Sequence, residues 1–191
     1  MKTFNDELAQ HIAVMQSAAQ CSDVVQEAAK LLIDTFERGH KVLLCGNGGS
    51  AADAQHIAAE FVVRYEKKRR ALPAIALTTD SSILTAHAND FEFDSVFARQ
   101  IEALGSAGDT LIAISTSGNS KNILQAAHAA KAKGLNVIAL TGESGGALVD
   151  VATLTIKVPS TVTARIQETH ILIGHYWCGV VEGSSDVSKF A

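Results

Sequence analysis

From Lys41 onward, short apolar runs alternate with longer segments of helical period, and few folds accept such an order. Residues 41–45, 73–77, 110–114, 136–140 and 153–158 read as strands. Residues 50–64, 92–104, 120–133 and 163–181 read as helices. Val42-Leu43-Leu44 and Leu111-Ile112-Ala113-Ile114 are apolar without a polar alternate, so both faces of these strands must be covered. Strands of that kind followed by helices predict an α/β fold, a three-layer α/β/α sandwich around a central parallel five-stranded sheet. Ahead of it, Leu8, Ile12 and Met15, then Val24, Ala28, Leu31, Leu32 and Phe36, recur at three- and four-residue steps. They give extra N-terminal helices, the second closed by Gly39. With 191 residues and no linker or repeat, the expected organisation is one domain over 1–191, with helices 1–40 used in oligomer packing.

Charge and composition narrow the function classes. The net charge is −4, and the only basic block is Lys67-Lys68-Arg69-Arg70, read as a solvated helix end. Nucleic acid is therefore not an expected partner, because backbone binding needs an extended basic face. No stretch approaches the ~20 apolar residues of a membrane span, and the acidic, polar start does not resemble a signal peptide. Cys21, Cys45 and Cys178 lie far apart and fit no metal or redox spacing, as expected for a cytoplasmic protein. The last helix carries Ile166, Ile171, Leu172, Ile173, Tyr176, Trp177, Val180 and Val181 around most of its circumference. Such a helix is buried on nearly all sides, which in so small a domain favours a helix-mediated homo-oligomer over the alternative of a wholly internal helix.

Two small-residue loops follow strands directly, where open α/β sheets bind ligands. In Gly46-Asn47-Gly48-Gly49-Ser50 the glycines let the main chain approach a ligand, and the following helix offers unpaired N–H groups to an anion. Taken alone it reads equally well as a glycine turn capped by Ser50. It is neither the Walker loop, which needs a lysine after the second glycine, nor the dinucleotide fingerprint, which needs a third. Ser115-Thr116-Ser117-Gly118-Asn119-Ser120 adds four hydroxyls at the end of a second buried strand. Hydroxyls with helix N-terminal amides suit a phosphate monoester.

Groups for chemistry lie on two helices. His56 and Glu60 are four apart and share a face, which by itself also describes a surface pair. Gln167, His170 and His175 lie on the last helix, where a lone histidine also reads as a core residue.

The pairing of CGNGGSAADAQHIAAEF with ISTSGNSKNIL resembles the sugar isomerase (SIS) fold family, whose members bind phosphosugars. Within it, LPAIALTTDSSILTAHANDFEF, ALTGESGG and ARIQETHILIGH are similar to the phosphoheptose isomerases. The resemblance implies isomerisation of sedoheptulose 7-phosphate to D-glycero-D-manno-heptose 7-phosphate through an ene-diol(ate), for nucleotide-activated heptose and lipopolysaccharide core synthesis. It implies Glu60 and His175 as the acid–base pair, and zinc held by His56, Glu60, Gln167 and His175. It places Asn47, Gly48, Gly49, Ser50, Arg64, Asp90, Ser115, Thr116, Ser117, Ser120 and Gln167 around the substrate, with Thr79, Asp80 and Arg165 as further candidates. A homotetramer with sites at subunit interfaces is implied as well.

Gln167 and His175 are eight residues apart, about 12 Å of helical rise, so both must lean inward to share a metal, and a neighbouring subunit would ease this. Ala164 stands where some members carry an acidic residue. The rival reading is a non-enzymatic SIS adaptor for the replication initiator. Such relatives lack the helix glutamate and the final histidine and carry arginine in the serine loop, whereas this chain keeps Glu60, His175 and Ser117.

Overall fold

The computed structural model describes residues 1–184. Helices α1 (Phe4–Ser17) and α2 (Ser22–Glu37) precede β1 (Val42–Cys45), α3 (Gly49–Val62), β2 (Ala74–Ala76), α4 (Ser81–Asp90) and α5 (Val96–Leu104). Then follow β3 (Thr110–Ile114), α6 (Lys121–Ala132), β4 (Asn136–Thr141), β5 (Leu154–Lys157) and α7 (Thr163–Gly183). The five strands form one parallel sheet in the order β2-β1-β3-β4-β5, as the unalternated strands required. Alternate residues of each strand feed two cores. Val42, Leu44, Ile112, Ile114, Ile138, Leu140 and Ile156 pack with α2, α3 and α7. Leu43, Cys45, Leu111, Ala113, Val137 and Ala139 pack with α5 and α6.

Local chemistry explains the boundaries. Thr3 and Asp6 form a reciprocal capping box at the start of α1. Asp80 caps α4 by accepting from Ile83 N at 2.9 Å. At the amino ends of β1 and β3, the Asp109 carboxylate takes the Lys41 and Ser106 N–H groups at 3.0 and 2.8 Å and the Lys41 ammonium at 2.6 Å. That buried knot ties the two central strands at the end away from the glycine and serine loops. All three cysteines are buried and free.

The structure corrects several expectations. Helix α4 has no counterpart in the sequence reading, because its Ser-rich start and weak apolar period hide it in a polar stretch. The helix expected over 92–104 begins as a 3-10 turn, Phe93–Ser95, before α5. Lys67 to Arg70 do not end a helix. They lie in the loop after α3, where Arg69 is 6% exposed and ion-paired to the buried Glu182. Helix α7 buries Ile166, Ile173, Trp177 and Val181 and, among the described residues of one chain, leaves Leu172 and Tyr176 exposed, the apolar remainder that the expected homo-oligomer would cover.

Candidate active site

In the strand order β2-β1-β3-β4-β5 the chain winds one way from β1 to β2 and the other way from β3 onward. The switch lies between β1 and β3, whose carboxyl ends carry the glycine and serine loops, and this is where a parallel sheet leaves a crevice. A cleft of about 290 Å³ opens there, lined by Asn47, Gly48, Gly49, Ser50, Ser115, Thr116, Ser120 and Gln167, with Ile114 and Thr163.

The walls of the cleft are preorganised. Gly48 takes φ +56° at the head of α3, a conformation most side chains resist. A Cβ on Gly49 would fall 2.7 Å from Gln167 Nε2, so the bare glycine admits the α7 amide to the cleft. Asn47 and Asn122 exchange amide hydrogen bonds, both 2.9 Å, across the gap between the first loop and α6. Ser115 Oγ donates to Ser120 Oγ at 3.0 Å, and Ser117 Oγ accepts from Asn119 N at 3.1 Å. Ser120 occupies the N-cap position of α6 without a side-chain cap bond, which leaves amides at that helix end for a ligand. Ser50 is not the cap of α3; that position belongs to Gly48, and Ser50 lies buried in the first turn.

Further along α3 and α7, His56 Nε2 lies 3.4 Å from Glu60 Oε1 and 3.5 Å from His175 Nε2. The two imidazoles meet edge to face, with centroids 4.9 Å apart. Tyr65 stacks on His175 at 5.7 Å and 22°. Glu60, Tyr65 and His175 are half-buried while His56 is exposed, so a small molecule can reach the group. Asp53, one turn before His56, has a buried oxygen without a partner, and burial raises its carboxyl against the opposing His56 charge.

Not every expected residue converges. Gln167 stands beside Gly49 and not with His56, Glu60 and His175, as the helical rise foretold. Among the described residues, no three His, Cys, Asp or Glu side chains are already spaced to hold a metal. Arg64 is exposed and donates to Glu66 O, and Asp90 accepts from its neighbour Asn89; neither lines the cleft within one chain. Thr79 and Asp80 are engaged in local bonds, to Ala76 O and Ile83 N. Arg165 is buried; it ties α7 to α1 by donating to Glu7 O at 2.7 Å and also donates to Glu168 on its own helix at 2.7 Å. His170 is a core histidine, its Nε2 3.1 Å from Thr141 O.

The sequence reading missed Asn122, Tyr65, Arg69 and Glu182. Asn122 follows the serine loop at the first turn of α6 and could have been flagged as a polar residue on a buried face. Nothing local marked the other three, which are joined only by the tertiary fold.

The residues 4–142 match the SIS domain family model. A phosphoheptose isomerase from Rhodospirillum rubrum is 54% identical over 162 residues, covering 85% of this chain and 86% of its own length. The chain belongs to the phosphoheptose isomerase family of SIS-domain proteins. The solved phosphoheptose isomerase of Neisseria gonorrhoeae superposes with a TM-score of 0.88 at 44% identity, covering 93% of this chain and 96% of that one. That of Francisella tularensis gives 0.89 at 38% identity, covering 96% and 100%. The five-stranded sheet and the added N-terminal helices are therefore the architecture of the family.

Proposed function

We infer that the chain interconverts the ketose sedoheptulose 7-phosphate and the aldose D-glycero-D-manno-heptose 7-phosphate, and so feeds nucleotide-activated heptose synthesis. The observation that carries this reading is spatial: the cleft for an anion and the His56–Glu60–His175 group lie along the same pair of helices, α3 and α7. Isomerase relatives about half identical over most of the chain support it over an adaptor role.

The phosphate would sit in the cleft against Ser50, Ser115, Thr116 and Ser120, with the amides heading α3 and α6 directed at its charge; Ser117, expected with them, lies outside the cleft lining and accepts from Asn119 N. Anchoring that end holds the sugar carbonyl near Glu60, which converts a chance encounter into an oriented one. Glu60 takes the proton from the carbon beside the carbonyl. The C–H electron pair becomes the C=C bond of an ene-diol(ate), and the proton returns to the adjacent carbon. His175 suits the accompanying proton movement between the two oxygens, because a neutral imidazole both donates and accepts.

Zinc belongs to the same proposal, with His56, Glu60, His175 and Gln167 as ligands. His56, His175 and Glu60 together offer two imidazoles and a carboxylate, donor types that suit zinc, and the three would have to close up from their present spacing to share it. Gln167 would have to swing from Gly49, or a neighbouring subunit would have to complete the set. Bound there, zinc supplies Lewis acidity toward a substrate oxygen. A cytoplasmic homotetramer completes the proposal.

The test is turnover of sedoheptulose 7-phosphate by purified protein, with and without zinc. Conversion to the aldose is expected, falling on chelation and recovering with added zinc. Glu60→Gln is expected to lower kcat about a hundredfold or more while leaving the fold and assembly intact. No turnover by metal-replete wild type would sink the enzyme reading, and a near-normal Glu60→Gln rate would remove Glu60 as the base.

A further inference from the structure

The loop after α3 returns to α7 under unusual restraint. The Glu182 carboxylate, 2% exposed near the end of α7, accepts three consecutive backbone N–H groups, from Tyr65 at 3.0 Å, Glu66 at 2.7 Å and Lys67 at 2.6 Å. Arg69 approaches the same carboxylate with Nε at 3.3 Å and donates to Glu60 O at 2.6 Å and Arg70 O at 2.9 Å. Burial alone would raise the Glu182 carboxyl. The N–H donors of Lys67, Glu66 and Tyr65 and the Arg69 charge outweigh it and hold the group below the usual carboxylate range. A buried ion pair is a poor source of net stability, because desolvation consumes most of the attraction. What this pair does is geometric.

Its product is the placement of Tyr65. With the backbone N–H of Tyr65 fixed to Glu182, the ring lies over Gly179, where a Cβ would meet Tyr65 Cε1 at 3.4 Å. From there it stacks on His175, which sits one turn before Gly179 on the same face of α7. His175 is thus held between a stacked ring on one side and the edge of His56 on the other, with its Nε2 directed at His56. The pair that fixes Tyr65 also fixes the main chain at Glu60 through Arg69, so one buried carboxylate aligns both ends of the acid–base group.

We propose that Tyr65 is a positioning residue for the isomerisation: its ring, seated over Gly179 by Glu182, sets the plane of the His175 imidazole. The proposal rests on the isomerase reading above, and it is tested in a way that separates the two. An aromatic ring stacked on an imidazole shifts the proton resonances of that imidazole, an effect visible by NMR in the free protein and independent of turnover. Tyr65→Phe keeps the ring; Tyr65→Leu keeps apolar bulk without it. Tyr65→Leu is expected to lose the ring-induced shift on the His175 protons and to lower kcat about tenfold with KM within about twofold, since misorientation costs part of the acid–base contribution. Tyr65→Phe is expected to restore both signals. Circular dichroism and the melting temperature of Tyr65→Leu establish that the fold is kept. Should Tyr65→Leu lose the ring shift yet turn over normally, or raise KM alone, the positioning role is overturned. Should Tyr65→Phe be as slow as Tyr65→Leu, the hydroxyl and not the ring is responsible, and the proposal again fails. Absence of turnover in wild type with the ring shift present would count against the isomerase reading only.

Discussion

At the scale of single residues, burial decides which histidine does what. His56 and His175 keep solvent access and one another, whereas His170 is fully enclosed five residues before His175 on the same helix. Burial lowers the His170 imidazole from its ordinary 6.5 to about 4, with the bond to Thr141 O opposing the shift. Its folded state therefore binds fewer protons than the unfolded chain between about pH 4 and 6.5. The associated stability is fully present above pH 6.5 and is lost as pH falls through this window. Between pH 7.5 and pH 5 the loss amounts to about 2 kcal/mol. Denaturant titrations at the two pH values should show this drop in wild type and a smaller one in His170→Gln, which keeps a donor for Thr141 but does not titrate. Equal drops in both proteins would assign the acid sensitivity elsewhere.

At the scale of elements, the serine loop is held from outside. Gly118 takes φ +67°, and a Cβ there would overlap the carbonyl oxygen of Gly145 in the loop between β4 and β5. Across this contact Leu148 N donates to Gly118 O at 3.1 Å, Ala147 N to Asn119 Oδ1 at 2.9 Å and Gly142 N to Thr116 O at 2.9 Å. Gly118→Ala should strain the loop, costing about 1–3 kcal/mol of stability. Losing one hydrogen bond to a charged phosphate, about 1.5–3 kcal/mol, should raise KM about tenfold or more while kcat changes less. Steady-state kinetics and thermal unfolding check both, and an unchanged KM would mean that this loop does not grip the substrate.

The same elements show what a sequence makes legible. The strands were readable because a strand buried on both faces has no polar alternate, and β1 with Val42, Leu43 and Leu44 is the clearest case. Both loops were readable because their glycines and hydroxyls directly follow such strands. Helix α4 was not, since Ser81 and Ser82 and a single buried residue, His87, leave no apolar stripe to detect. Nor could the loop after α3 be read. A run of lysine and arginine looks solvated until the fold brings Glu182 against Arg69 from 113 positions away, 182 − 69. Within the candidate site, His56, Glu60 and His175 lie together as the family resemblance implied, while Gln167 stays beside Gly49 because helical rise separates it from them.

At the scale of the whole molecule, the described residues of one chain leave a broad apolar surface exposed. Helix α1 is 14 residues long and contains no buried residue, with Phe4 79% and Ile12 46% exposed. A helix of that length is marginal in water on its own. Its ties to α7, His11–Glu168 and Arg165–Glu7, include partly exposed ion pairs worth roughly 0–1 kcal/mol each. Beside it, an apolar groove of about 350 Å³ runs between Met15 and Val25 on one side and Leu172, Ile173 and Tyr176 on the other. The proposed tetramer accounts for both features if a second copy covers α1 and fills this groove. Leu172 is then the test position, being 52% exposed in the single chain and central to the groove, so a charge there disturbs the interface and not the core. Leu172→Glu would bury an unpaired carboxylate at the contact, at a cost of several kcal/mol. Sedimentation velocity should show wild type as a tetramer and Leu172→Glu as smaller species with the α/β core still folded. Activity should fall with assembly if a neighbouring subunit completes the site around His56 and His175. A Leu172→Glu protein that remains tetrameric would place the interface on another face.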